Sequence, residues 1–547
     1  MIEPAPSKTA RARRADRAAA QVRRREVERR LVEAGLGRGP RGLAGEAPHF
    51  DGGFGRRLRL ALETLGPVFS AFGRYLGSRA DLLPLADCFE LRQTEEAAEP
   101  MSPAAVHALV ESETGVPLGE AFGEIEAAPL CRGLLLQTHR ARLPDGRGAL
   151  VQLVRPDCGA SLEADLPHLP LLAVAFGREG RPFPIEQAIN DFQRALAARA
   201  DLPAVAVGLR ALRIEVARLG TLRLPRIVLA TPRLLCLELL EGASLASLQP
   251  SPATPAESAE RADLARRLWL AWLYHVVHGK AFPVEIEPGL VLLADGGIGL
   301  QGGTFASLPA ESQPSLQAYL EAAAADDPDE ACKRLLHEMQ PAPAGAEVEL
   351  RQRLRQSVAF RDGGWGSARD GQSLSEQLFV QWRLAAELGF LPLPHLEAFY
   401  RGLFALAVIV RPLAPPESDP LREALESLRL LGVADQLGEM ADFSRLRRGF
   451  AGYAAVLADL PMMMDGALSL LGEGRPRLRI EVDQPSTGGK GSGKSLPLAL
   501  ALALGAVALV TVRLGTVQAA GPWFQAVGAT LFTILGGLLL WTLGRQS

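Results

Sequence analysis

Residues 134–157 read LLLQTHRARLPDGRGALVQLVRPD, and this stretch decides the fold. Pro144, Asp145 and Gly146 form a turn signal: proline presets one turn dihedral, and glycine takes the positive φ that a tight reversal needs. The flanking runs carry the Leu and Val of strands, so the stretch predicts two antiparallel strands. A second strand pair is predicted at 225–242, PRIVLATPRLLCLELLEG. Between the pairs, residues 185–218 have helical spacing. Upstream, 54–124 is also helical. Beyond Ala253 the pattern is amphipathic helix, interrupted at 289–303 by GLVLLADGGIGLQGG, a hairpin with an Asp-Gly turn. A small strand-rich lobe thus precedes a larger helical one.

The 547 residues are too many for one ordinary domain, so a core with attachments is expected. A net charge of -3 gives no polycation, hence no argument for nucleic acid. Cys88, Cys131, Cys158, Cys236 and Cys332 have no paired spacing and make neither a zinc signature nor a disulfide framework. They are expected to be reduced thiols, most of them in the core. Residues 7–35 are rich in Arg and Ala and predict a solvated helix or a partly disordered arm. The alternative is docking on anionic lipid headgroups, but Asp16, Glu26, Glu28 and Glu33 dilute the charge. Those acids also speak against a mitochondrial presequence, and the start has no apolar run that would make a signal peptide. The Arg-, Ala- and Gly-rich, Lys-poor composition associates with a bacterial source.

Two uncharged runs stand near the C-terminus: LPLALALALGAVALVTV at 496–512 and WFQAVGATLFTILGGLLLWTL at 523–543. A membrane span needs about 20 apolar residues, with roughly 17 as the lower limit, and both runs qualify. Trp523 and Trp541 flank the second run as interfacial residues do. Lys490 and Lys494 precede the pair and Arg545 follows it, while Arg513 alone lies between. Both ends, and the body, are therefore expected on the cytoplasmic face of a bacterial inner membrane. GGKGSGKS at 488–495 formally matches a phosphate-binding loop. It lacks the surrounding β-α alternation and leads into an apolar span, so it is read as a flexible linker. His139 is read as a packing residue, and Met462, Met463 and Met464 as core or lipid-facing packing.

Several segments, in order, resemble the UbiB/AarF family of atypical kinase-fold proteins. LGPVFSAFGRYLGSRADLLP at 65–84 is similar to the family's G-P-x-F-x-K-x-G-Q-x-x-S-x-R-x-D-L-L-P. APLCRGLLLQTHRARLPDGR at 128–147 resembles its alanine-rich nucleotide loop. ALVQLVRP at 149–156 matches V-A-V-K-V-x-R-P, and LCLELLEGASL at 235–245 matches the hinge strand. The resemblance implies an α+β, two-lobed, protein-kinase-like fold that is mostly helical, with a helical N-terminal extension over the cleft and a C-terminal two-helix transmembrane hairpin. The expected parts are an arm at 1–45, the extension at 46–127, the small lobe at 128–245, the helical lobe at 246–465, a linker at 466–494 and the hairpin at 495–547.

Kinase chemistry needs a lysine on the phosphates, a carboxylate near the acceptor, and Asn and Asp oxygens on Mg²⁺. The matched positions here are different. The lysine position is Gln152. The family's H-A-D-P-H-P-G-N is PVEIEPGL at 283–290, which puts Glu285 at the aspartate and Leu290 at the metal asparagine. The D-F-G aspartate position is Gln301. Ala71 and Arg74 replace the signature lysine and glutamine. In the acidic helix only Glu215 remains, with Leu209, Ala211 and Arg218 elsewhere. The nucleotide loop is reduced to Cys131, Arg132, Gly133 and Leu134. No catalytic residue, metal ligand or cofactor is therefore expected, although the resemblance implies ATP and Mg²⁺ for intact members. The expectation is a membrane-anchored pseudokinase with an accessory or regulatory role in ubiquinone biosynthesis or lipid handling. Its expected partners are membrane lipid, isoprenoid or quinone precursors and other proteins of that pathway. The alternatives are an ATPase or kinase rewired around Glu215, Glu285 and Glu287, and a non-catalytic lipid-binding module.

Overall fold

A computed structural model describes residues 8–36, 53–96, 98–176, 183–219, 222–245, 254–286, 289–340, 344–362, 373–415 and 418–440. The two apolar runs, the glycine-lysine linker, the methionine run and Glu287 lie outside the described residues. Among the described residues no helix is long and apolar enough to cross a membrane.

The chain begins with helices. These are α1 (Lys8–Glu33), α2 (Phe54–Leu65), α3 (Pro67–Leu76) and α4 (Leu85–Arg92). On α2 the buried Phe54, Leu58, Ala61, Leu62 and Leu65 form one apolar stripe. Pro67 then opens α3, where its missing N–H costs nothing. Of the arm expected over residues 1–45, the structure describes 8–36. Val27 and Leu31, one turn apart on α1, are buried together with Leu36. Arg23 clamps Asp165 through Nε and Nη2 at 2.7 and 3.0 Å. Two apolar residues amid ten or so polar neighbours give no amphipathic signal, but they suffice once a fixed surface lies opposite.

The small lobe follows. Helices α5 (Pro103–Thr114) and α6 (Leu118–Ala121) lead to β1 (Glu124–Ile125), β2 (Cys131–Arg132), β3 (Leu136–Arg142) and β4 (Gly148–Val154). β3 and β4 form the expected hairpin, in register from Leu136 opposite Val154 to Arg142 opposite Gly148. Gly146 takes φ 86° at its turn. Four helices come next: α7 (Cys158–Asp165), α8 (Ala173–Phe176), α9 (Ile185–Ala200) and α10 (Leu202–Leu219). The single helical run expected over 185–218 is broken at Asp201, whose carboxylate accepts from the Ala204 N–H at 3.0 Å and so caps α10. Strands β5 (Leu222–Arg223), β6 (Ile227–Ala230) and β7 (Leu234–Glu238) follow. The small-lobe sheet runs β1-β3-β4-β7-β6, with β2 on β3.

In the large lobe come β8 (Gly242–Ser244), α11 (Pro255–His278), β9 (Phe282–Glu285), β10 (Leu290–Leu293), β11 (Ile298–Leu300) and β12 (Thr304–Ala306). Thr254 and Glu257 start α11 with a reciprocal capping box. The second expected hairpin is β10 with β11, and β8 and β5 flank it in one sheet. Among the described residues six helices follow: α12 (Ser312–Ala324), α13 (Pro328–His337), α14 (Ala346–Asp362), α15 (Leu374–Glu387), α16 (Pro394–Val410) and α17 (Pro420–Met440). Their core is aromatic. Trp382 stacks on Tyr400 with centroids 4.3 Å apart, and the Tyr319 and Tyr400 hydroxyls bond at 2.8 Å. Three cysteines, Cys88, Cys236 and Cys332, are buried and all five are unpaired. Burial pushes the Cys236 thiol up to about 12, so it stays protonated and inert.

Candidate functional site

The strands of the small lobe, helices α3 and α9, and the β9 to β12 segment enclose a cleft of about 900 Å³. That is ample for a small-molecule ligand. Its walls contain Gln152, Glu285, Gln301, Cys131, Arg132 and Gly133. The structure therefore brings together most of the positions singled out in the sequence.

β4 carries Gln152 between Thr138 on β3 and Leu235 on β7. A Cβ on Gly302 would lie 3.3 Å from its Nε2, so the side chain reaches across the cleft to the Gln301-Gly302-Gly303 turn. Gln301 is only 8% exposed. Its side-chain N–H donates to the Leu240 carbonyl and its backbone N–H to Gly289 at 2.7 Å. Gly303 is required here: φ is +138°, and a Cβ would fall 2.2 Å from the Glu285 carbonyl oxygen. Leu290 sits in the main core opposite Leu300, 5% exposed.

The nucleotide loop is already committed. Gly133 donates its N–H to the Leu136 carbonyl at 2.9 Å. Leu134 is buried and donates its N–H to Glu96 at 3.2 Å. A phosphate cradle needs such amides free. Glu215 lies on α10 within Leu202–Leu219, and its side chain is outside the described part. Leu209, at another position of the acidic helix, is buried against Leu235 and Leu237. His139 is a packing residue: its Nδ1 lies 2.8 Å from the Glu126 carbonyl and its Nε2 2.8 Å from the Gln137 amide.

Glu285, at the end of β9, is the centre of an ion-pair cluster. Arg401 on α16 meets it at 2.5 Å and Arg199 on α9 at 3.4 Å. Arg199 also holds Glu96 at 3.2 Å. Burial works against ionising Glu285, but Arg199, Arg401 and Arg92 outweigh it and hold the carboxyl below its ordinary 4.5. Burial likewise opposes ionisation of Glu96, and Arg199 and Arg74 overcome it. Glu96 first, then Glu285, keep Arg199 charged against its own burial. A carboxylate held this way is a poor proton acceptor, because protonation would strand two cations.

A pH dependence follows from these directions. A depressed carboxyl stabilises the fold fully above its unfolded value, near 4.5, and loses that contribution as pH falls through the lower folded value. Glu285→Gln is expected to be less stable than the parent at pH 7, with the gap closing as pH drops below 4.5. Denaturant unfolding of both proteins across this range checks it. An equal gap at pH 7 and at the acid end would mean that Glu285 is not held ionised.

The described residues do not suit Mg²⁺. Leu290 has no ligand atom, the Gln301 amide is turned to a carbonyl, and Glu285 is neutralised by two guanidinium groups. Among the described residues no group of three or more His, Cys, Asp and Glu is placed to hold a metal. No motif in the sequence points to Arg199, Arg401 or Glu96. Arg401 and Glu285 are 116 positions apart, and no local pattern marks either arginine.

A strand-rich lobe, a helical lobe and this cleft define a protein-kinase-like fold. A family model described as the ABC1 atypical kinase-like domain matches residues 93–334. A "Probable protein kinase UbiB" of Pseudomonas entomophila is 32% identical over 200 residues, covering 36% of this chain and 37% of that protein. The Azotobacter vinelandii protein of the same name is 35% identical over 149 residues, 27% of this chain and 28% of that one. Residues 93–334 are thus similar to an ABC1 atypical kinase-like domain, and the relatives that the chain matches carry the UbiB name. The chain spans 37% and 28% of the length of these two curated relatives, so the activity in their name stays with them. Among solved structures, the erythromycin complex of Rv3197 from Mycobacterium tuberculosis is 17% identical, with a TM-score of 0.38, covering 61% of this chain and 90% of that one. A superposition that loose carries no argument.

Proposed function

We propose that this chain is a UbiB-like pseudokinase, anchored to a membrane by the apolar runs at 496–512 and 523–543, with an accessory or regulatory role in ubiquinone or other isoprenoid-lipid metabolism. One observation carries the pseudokinase reading: Glu285, at the catalytic-carboxylate position, is tied to Arg199 and Arg401. Phosphoryl transfer rests on placing charge around Mg·ATP. Here the carboxylate is neutralised, and the two matched metal positions are a core leucine and an engaged amide. The pathway is supported only by the family's association, and the anchor only by the uncharged runs.

The test uses the detergent-solubilised full chain. Release of γ-phosphate from ATP is expected at buffer background. Mg²⁺ is expected to add nothing to any thermal stabilisation that ATP alone gives. A Mg²⁺-dependent rise in melting temperature, or turnover abolished by Glu285→Gln, would overturn the reading. Deletion of 495–547 is expected to move the protein from the membrane fraction to the supernatant.

A further inference from the structure

The cleft has lost its metal positions yet has not closed. Leu290 has merged with the core, but about 900 Å³ remains open beside it. Six arginines line it, Arg74, Arg92, Arg132, Arg140, Arg199 and Arg401, against four glutamates, Glu95, Glu96, Glu241 and Glu285. No Lys, His or Asp stands among the described lining residues, so the walls carry an excess of two positive charges. A concave, partly apolar wall focuses such an excess.

Not all of these charges are paired: Glu95 and Glu241 are exposed and make no ion pair among the described residues, and Arg92 acts on Glu285. Arg199 and Arg401 are spent on Glu96 and Glu285. Arg74 donates to the carbonyl oxygens of Arg92 and Thr94. Arg132 on β2 and Arg140 on β3 are exposed, and among the described residues neither makes an ion pair. Both belong to the strands that roof the cleft. Below them, a Cβ on Gly133 would lie 3.9 Å from Nη2 of Arg199, so that guanidinium also abuts the loop. Leu136, Leu150, Leu240 and Val291 supply apolar wall alongside.

We propose that this cleft binds a small molecule carrying a phosphate or diphosphate on an uncharged, apolar or aromatic body, and that it does so without a divalent cation. Guanidinium groups take over the neutralising role that Mg²⁺ has in a kinase. Arginine suits this role, since its planar fork of donors bonds phosphate oxygens in pairs and stays charged at any working pH. The inference rests on the pseudokinase reading of the same cleft, but it fails separately from it.

Isothermal titration of the detergent-solubilised full chain in EDTA tests it, with inorganic pyrophosphate, ADP and an alkyl diphosphate as probes. Pyrophosphate is expected to bind, more weakly at high salt and more weakly again with excess Mg²⁺. Tighter binding of ADP would assign an aromatic body, and tighter binding of the alkyl diphosphate an aliphatic one. The double variant Arg132→Gln, Arg140→Gln removes the surplus charge and leaves every buried ion pair intact. It is expected to bind pyrophosphate at least about 10-fold more weakly. Arg199→Gln, if folded, is expected to do the same. Three results overturn the proposal: no binding of any probe in EDTA, binding only with Mg²⁺, or unchanged affinity in the double variant. None of these alters the pseudokinase reading, which falls instead if Mg²⁺ strengthens ATP binding or turnover appears.

Discussion

Arg79→Ala is expected to cost about 3–5 kcal/mol of folding stability, the usual result of removing one partner from a buried charge network. Arg79 is 2% exposed. Its guanidinium bonds Asp81 at 2.9 and 2.7 Å, Asp191 at 2.8 Å and the Tyr75 hydroxyl at 2.8 Å. Alanine would leave the buried Asp81 carboxylate without its cation and Asp191 with Arg194 alone. Glu397 on α16 would suffer too, because burial already pushes its carboxyl up and Arg79 is the leading opposing charge. The network ties α3 and the turn after it to α9 and α16, so the extension over the cleft is expected to loosen first. Denaturant midpoints of parent and variant measure the loss. Arg79→Ala combined with Asp81→Asn and Asp191→Asn should recover part of it, since an amide costs less to bury than a charge. If the single variant unfolds within about 1 kcal/mol of the parent, the network carries little stability.

Leu290→Asn is the second large effect. It restores the residue type that the family pattern has at its metal position, and it is expected to destabilise the protein by about 4 kcal/mol. That sum combines the loss of a buried leucine with the burial of an unpartnered amide. Leu290 is in the main core, in register with Leu300. Thermal unfolding reads the cost directly. A second measurement on the same variant concerns function: Mg·ATP is expected to recover no stability, because Glu285 stays bound to Arg401 and Gln301 to the Leu240 carbonyl. Recovery by Mg·ATP would mean that the cleft is one substitution away from a working metal site.

The N-terminal signature divides along a physical line. Arg79 and Asp81, which match the family pattern, lie in the buried network that fastens the extension. Ala71 and Arg74, which depart from it, line the cleft. The match at 65–84 was legible in the sequence, but which half of it was structural was not. The same holds for α1. A helix was one of the two states its sequence allowed, and its anchorage through Val27, Leu31 and Arg23 was not legible, because two apolar residues among arginines have no period of their own.

The hairpin at 134–157 was fixed by its own residues. Strand propensity on either side of a Pro-Asp-Gly turn is a local matter, and β3 and β4 pair as it dictates. The order of a small strand-rich lobe before a helical one is local in the same sense. So is the residue type at Gln152, Leu290 and Gln301, since a leucine has no lone pair and a glutamine no charge in any fold. Only the tertiary structure decided what surrounds those positions. Glu96, Arg199, Glu285 and Arg401 are spread over some 300 positions, and each alone looks like any other surface charge among 59 basic and 62 acidic residues. An ion pair depends on distance in space, which periodicity and propensity do not encode across such separations. The sequence told which residue types stand at those positions, and the fold alone brought Arg199 and Arg401 to Glu285.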